Sequence, residues 1–216
     1  MLGIDGCKGG WIGVVLDDDA EPAAAFGPHI ADVVAWAGDV DAIGIDIPIH
    51  LNDDSDRPCD TAARRALSPH GSRVFNAPVS AVLRSASYAD ANEVSFAALG
   101  KKISKQTWNL VPKIAEVDQW LPGAPCAVYE VHPELSFAAM RGSVIAESKK
   151  TREGAALRSF TLADHGIEVP TELPRSDDLL DACAVAWSAR RLARGEATCL
   201  PDPPPVVRGD AQAVWF

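Results

Sequence analysis

From Asp177 to Arg194 the chain carries a helix-length stretch that is apolar nearly all round, with Leu179, Leu180, Ala182, Cys183, Ala184, Val185 and Ala186 in succession. A helix without a polar face is buried, so other elements must cover it on more than one side. Ser176 is placed to cap its start and Gly195 to stop it. Within this stretch sit Asp178 and Asp181, whose i, i+3 spacing puts both on one helix face. An acid in the first turn needs no purpose beyond the helix dipole, which accounts for Asp177 and offers an account of Asp178. Asp181 lies past that turn among apolar neighbours, where a carboxylate is costly unless it is paired or bound to a metal.

The remaining apolar runs are short and rich in β-branched residues. Leu2 to Asp5 reads as a strand, Gly6 to Gly10 as a turn, and Trp11 to Leu16 as a second strand. A polar turn at Asp17 to Asp19 leads to a third strand over Pro22 to Phe26. Ile30, Val33, Val34 and Ala37 recur at helical spacing before Gly38. Ala42 to Ile47 is a buried strand ended by Pro48. Residues 49–104 give weaker signals and read as a largely helical or irregular insertion within a single domain of residues 1–216. Val111, Ile114, Val117 and Leu121 predict a helix with Pro112 near its start or at a kink. Ala127 to His132 is another strand, closed by Pro133, and Thr151 to His165 is helical. The order implies an α/β fold, a mixed five-stranded sheet flanked by helices. Right-handed crossovers would set the strands at 42–47 and 126–132 parallel to the first, gathering their C-terminal ends.

Those ends carry acids. Asp5 and Asp46 each close an apolar strand, and Glu130 lies near the end of the third parallel strand, followed by His132. Any one of them reads equally as a cap or a solvated charge. Brought together, they repel unless a cation neutralises them, and all-oxygen surroundings suit Mg²⁺ or Mn²⁺.

Composition narrows the function classes. With 30 acids, 20 Lys and Arg and a formal charge of -10, the chain is no general nucleic-acid coat. No run approaches the roughly 18 apolar residues of a membrane span, and no basic leader is evident, so a cytoplasmic protein without a membrane partner is expected. Five scattered cysteines with no Cys-x-x-Cys pair suggest neither a zinc site nor a disulfide framework. The oligomeric state, a dimer included, is not legible in the sequence.

Asp5 after a first strand, a later strand-end acid, and Asp178-Leu179-Leu180-Asp181-Ala182-Cys183-Ala184 on a late helix resemble the ribonuclease H superfamily, RuvC-type resolvases among them. More of the chain resembles a bacterial and archaeal family of unknown function, numbered 429 and described as predicted ribonuclease H-like nucleases. The matching segments are Gly3 to Trp11, Gly44 to Pro48, Val74-Phe75-Asn76-Ala77-Pro78, Ser104-Lys105-Gln106-Thr107, Tyr129 to Glu134 and Lys150-Thr151-Arg152. The resolvases have glutamate where this chain has Asp46, and no counterpart of residues 49–104.

The resemblance implies a ribonuclease H-like fold and two-metal hydrolysis of phosphodiester bonds in nucleic acid, RNA or DNA. Asp5 would bridge the metals, Asp46 and Asp181 would be ligands, and Asp178 would lie in or beside the ligand set. Glu130 or His132 would position or deprotonate the water. Lys105, Lys150 and Arg152 would hold substrate phosphates, although each reads equally as a solvated surface charge.

Two other readings stay open. An actin-like ATPase or sugar kinase shares the strand, Asp and Gly-rich turn of the N-terminus, but it needs two similar domains. A non-catalytic nucleotide- or partner-binding module would leave the clustered acids idle.

Overall fold

Alternation of branched apolar residues with glycine lets a thin sheet accept helices on both faces, and the computed structural model, which describes residues 1–216, has that construction. In chain order the elements are β1 (Leu2–Cys7), β2 (Gly10–Val15), β3 (Ala23–Gly27), α1 (Ile30–Ala37), β4 (Ile43–Ile45), α2 (Pro58–Ala66), α3 (Tyr88–Leu99), α4 (Lys105–Trp120), β5 (Val128–Glu130), α5 (Pro133–Arg141), α6 (Arg152–Asp164) and α7 (Asp177–Ala193). The chain divides into two compact units. One comprises residues 1–47, 123–198 and 215–216, and the other residues 48–122 and 199–214.

The first unit holds the sheet, in the order β3-β2-β1-β4-β5. β1, β2 and β3 form an antiparallel meander, while β4 and β5 run parallel to β1. This is the mixed five-stranded arrangement of a ribonuclease H-like fold. Side chains alternate across a strand, and the register sorts them cleanly. Gly3, Asp5, Gly44, Ile12 and Val14 face α7, whereas Ile4 and Ile45 face the other way, as does Gly13, which packs on Val33 of α1. Ile12, Val14 and Leu16 form one core with Leu179, Leu180, Cys183, Ala184 and Ala186 of α7 and with Phe137 and Leu162 of α5 and α6. α7 is therefore sandwiched between the sheet and two helices, which explains its lack of a polar face.

Glycine sets the depth at which α7 docks. A Cβ at Gly3 would lie 2.1 Å from the Ala186 backbone nitrogen and 2.5 Å from the Ala182 carbonyl oxygen. No rotamer relieves a backbone clash of that kind. Gly3→Ala is accordingly expected to lower stability by at least the roughly 1–3 kcal/mol typical of overpacking. A urea midpoint equal to that of the wild type would show that α7 is free to lift away.

The sequence pattern gives no sign of α5. Pro133, which the sequence marks only as the end of a strand, sits in the first turn of this helix, where its missing N–H costs nothing. Its continuation through Glu134, Leu135 and Phe137 buries one side against α7.

The second unit is mainly helical. α4 begins at Lys105, capped by Ser104 whose hydroxyl accepts from the Thr107 amide, six residues before its first predicted apolar position. Pro112 lies inside it without ending it. α3 and α4 pack with Val79 and Val82 around a small core of Ala91, Ile103 and Val111. Arg57, buried at 2% exposure, donates to Asp60 and to the Ile49 carbonyl. The Pro-rich return of the chain forms a short hairpin pairing Val206–Val207 with Asp210–Ala211. All five cysteines are free. No helix of the chain is long and apolar enough to cross a membrane.

Candidate metal centre

Three aspartates reach one point in the first unit from three elements. Asp5 lies on β1 two residues beyond Gly3, on the face that receives α7. Asp46 follows β4 in the same phase relative to Gly44, its amide donating to the Ile4 carbonyl at 2.9 Å. Asp181 projects from the second turn of α7, whose start is fixed by the Ser176 hydroxyl accepting from the Leu179 amide. The two glycines thus let α7 approach closely enough for its carboxylate to join those of the strands. One ligand oxygen from each of Asp5, Asp46 and Asp181 lies within 4.8 Å of the others.

The environment is low in water. Asp5 is 6% exposed and Asp181 2%, and Asp46 is partly exposed. Burial pushes all three carboxyl groups up in pKa. Asp5 rises well above its usual value because of burial and then repulsion from Asp46 and Asp181. Asp46 is raised by burial to about 7, with Lys149 opposing the shift and Glu134 and Asp178 adding to it. Asp181 is raised by burial to about 6, again opposed by Lys149. Such shifts mark a cluster that lacks enough positive charge of its own.

Lys149 is the one cation among them. Its ammonium donates to Asp181 Oδ2 and lies 3.9 Å from Asp177. Burial pulls its pKa down, but the carboxylates of Asp181, Asp5 and Asp46 more than offset that and leave it raised. The second Asp181 oxygen, Oδ1, is buried with no hydrogen-bond partner. A carboxylate clustered with two others and left with an orphaned oxygen is a ready ligand, and the all-oxygen donor set fits a hard divalent cation.

The loop bearing Lys149 is itself held. Thr151 caps α6 by accepting from the Gly154 amide at 3.1 Å, and a Cβ at Gly154 would lie 2.0 Å from the Ser148 carbonyl oxygen. Arg158, fully buried, donates to the Glu147 and Gly154 carbonyls and pairs with Glu134 in the first turn of α5. The Glu134–Arg158 pair thereby ties α5 to the loop that presents Lys149. The sequence marks Lys149 only as part of the basic run Lys149 to Arg152 at a helix start, a phosphate-binding candidate rather than a partner of the acids, and Arg158 is not among its candidates. For Arg158 a signal exists, since it occupies the buried phase of α6 with Gly154, Thr161 and Leu162.

The other sequence candidates fall in different places. Asp178, on the same face of α7, is near enough to raise the pKa of Asp5 and Asp46 without entering the close cluster. Glu130 pairs in register with Ile45 and so points to the face opposite Asp5 and Asp46, away from α7. His132 is the N-cap residue of α5. Lys150 and Arg152 are exposed at the start of α6, beside Lys149 in sequence. Lys105 belongs to the helical unit, where its ammonium sits 4.6 Å from the centre of the Tyr88 ring.

Comparison with known proteins agrees with the resemblance at family level only. No curated protein and no solved structure matches the chain. The model of one family, described as protein of unknown function (DUF429), matches residues 3–206. That span takes in Asp5, Asp46 and Asp181 together with the whole helical unit apart from its last residues, and the chain belongs to this DUF429 family.

Proposed function

We propose that the protein is a metal-dependent hydrolase of phosphodiester bonds in nucleic acid, with Asp5, Asp46 and Asp181 as ligands of Mg²⁺ or Mn²⁺. The observation that carries this reading is a buried cluster of three carboxylates, all raised in pKa by burial, in which Asp181 Oδ1 has no hydrogen-bond partner. A structural acid cluster would be satisfied by hydrogen bonds or by further cations. A divalent cation held there would supply charge stabilisation to phosphoryl oxygens and lower the pKa of water at neutral pH.

The chain's own residues have distinct tasks in this reading. Asp5 and Asp46 hold their carboxylates rigidly, because strands paired on both sides fix their backbones. Asp181 closes the set from the helix. Asp178 adds negative charge without direct ligation. Glu134 and Arg158 position the loop of Lys149, whose ammonium offsets part of the cluster's charge. Glu130 is set aside as a base for the water, since it faces the other side of the sheet. His132 keeps that role as a candidate, and Lys150 and Arg152 remain candidates for holding substrate phosphate.

The test is a panel of labelled single strands, duplexes, an RNA–DNA hybrid and a four-way junction, incubated with Mn²⁺ or Mg²⁺. Wild type is expected to cut at least one member, and Asp5→Asn to cut it about 100-fold more slowly or worse. Equal rates for the two proteins would remove the carboxylate cluster from the reaction. Silence of the wild type across the panel would refute nucleic acid as the substrate.

A further inference from the structure

The helical unit contains a cavity of about 270 Å³ whose lining has three basic side chains and no acidic one. In a chain with 30 acids and 20 bases, that bias is a local reversal of the overall charge. Lys101 is neutralised by Asp56, which accepts from its ammonium at 2.6 Å. Arg64 and Lys102 have no carboxylate partner, and Arg64 Nε is buried without a hydrogen bond. Two uncompensated cations therefore face one small cavity.

The walls are fixed before any ligand arrives. Asp60, itself held by Arg57, accepts from the Ala77 amide at 2.9 Å and pins the segment Val74 to Pro78. Across the cavity, the Ser95 hydroxyl donates to the Lys101 carbonyl at 2.8 Å, and Asn92 accepts from the Ile103 amide at 3.1 Å. Gly71 approaches the Arg64 carbonyl so closely that a Cβ there would lie 2.4 Å away, which fixes the backbone of α2 at Arg64. Asn76 and Gln106 also line the cavity and bring amide groups to it. These two belong to the segments Val74 to Pro78 and Ser104 to Thr107, which carry no part of the proposed hydrolysis.

We propose that this cavity binds a small phosphomonoester. Two unpaired cations match the double negative charge of a terminal phosphate better than the single charge of a carboxylate or a phosphodiester. Arg64 supplies planar, charge-assisted donors suited to phosphate oxygens, and Lys102 a mobile ammonium. The volume lies just under the roughly 300–1,000 Å³ of sites for drug-sized ligands. That is room for a phosphate carrying one compact group, such as a nucleoside, but not for a nucleic-acid strand. The proposal is independent of the hydrolysis proposed above, and none of its residues belongs to the carboxylate cluster.

The experiment titrates the full chain, in the presence of a chelator, with adenosine 5′-monophosphate, inorganic phosphate and adenosine, read by calorimetry. Saturable binding of the monophosphate is expected, with none of adenosine. Lys102→Gln, at an exposed position that cannot disturb folding, and Arg64→Gln should each weaken it about tenfold, whereas Arg65→Gln and Asp181→Asn should leave it unchanged. Loss in Asp181→Asn would place the ligand at the carboxylate cluster and overturn the proposal. So would binding of inorganic phosphate alone, an unaltered affinity in Lys102→Gln, or the absence of saturable binding of the monophosphate.

Discussion

Asp181→Asn protein is expected to bind Mn²⁺ or Mg²⁺ about 100-fold more weakly than wild type while folding normally. The amide keeps the volume of the carboxyl group and one oxygen, so the packing of α7 between the sheet, α5 and α6 is undisturbed. What is lost is the charge of a carboxylate 2% exposed to solvent and clustered with those of Asp5 and Asp46, one of whose oxygens has no other partner. Asp178→Asn supplies the internal comparison. Its carboxylate raises the pKa of Asp5 and Asp46 but stands outside the close cluster, so its removal should weaken the metal about tenfold at most, the scale of an outer-shell partner. Calorimetric titration of the three proteins, with circular dichroism for folding, decides the matter. Equal affinities for wild type and Asp181→Asn would refute the ligand assignment.

The acids of this cluster were readable in the sequence because each sits at a place with strong local grammar. Asp5 and Asp46 end apolar strands, and Asp181 interrupts a run that has no polar face. Their phases add what single positions lack, because Gly3 and Asp5, like Gly44 and Asp46, are two residues apart and share the face on which α7 docks. Glu130 shows the limit of such reasoning. It is near the right end of the right strand, but its pairing with Ile45 gives it the opposite phase, and phase depends on a register that no local pattern prints. The pairing of Lys149 with the acids is hidden for a different reason. The lysine lies in a loop between α5 and α6, and its place beside Asp181, 32 residues away, is set by a capping threonine, a glycine without room for a side chain, and Arg158 buried against Glu134. The helical unit resisted detailed reading because its helices are held by polar devices such as the Arg57–Asp60 pair as much as by apolar periodicity.

Burial makes the site respond to pH, and removing Lys149 should show how far the lysine tempers that response. Asp46 and Asp181 have folded-state pKa values of about 7 and about 6, above the ordinary 3.8. Between pH 4 and these values the folded protein holds protons that the unfolded chain has released. The stability these groups contribute is therefore complete below about pH 4 and lost as pH rises through 6 and 7. The Lys149 ammonium limits that loss by its contact with Asp181 Oδ2. In Lys149→Met the three carboxylates would ionise with no cation beside them, so the metal-free variant should melt well below wild type at pH 8 and close to it at pH 5. A divalent cation reverses the argument, because it replaces the missing charge and no longer competes with the ammonium for Asp181. Lys149→Met should thus bind Mn²⁺ about tenfold more tightly than wild type at pH 8. In both proteins, affinity should climb between pH 5 and pH 8 as Asp46 and Asp181 give up their protons. Melting curves at the two pH values, with and without Mn²⁺, separate the two effects. Weaker metal binding in Lys149→Met would mean that the lysine organises the carboxylates rather than standing in for the ion.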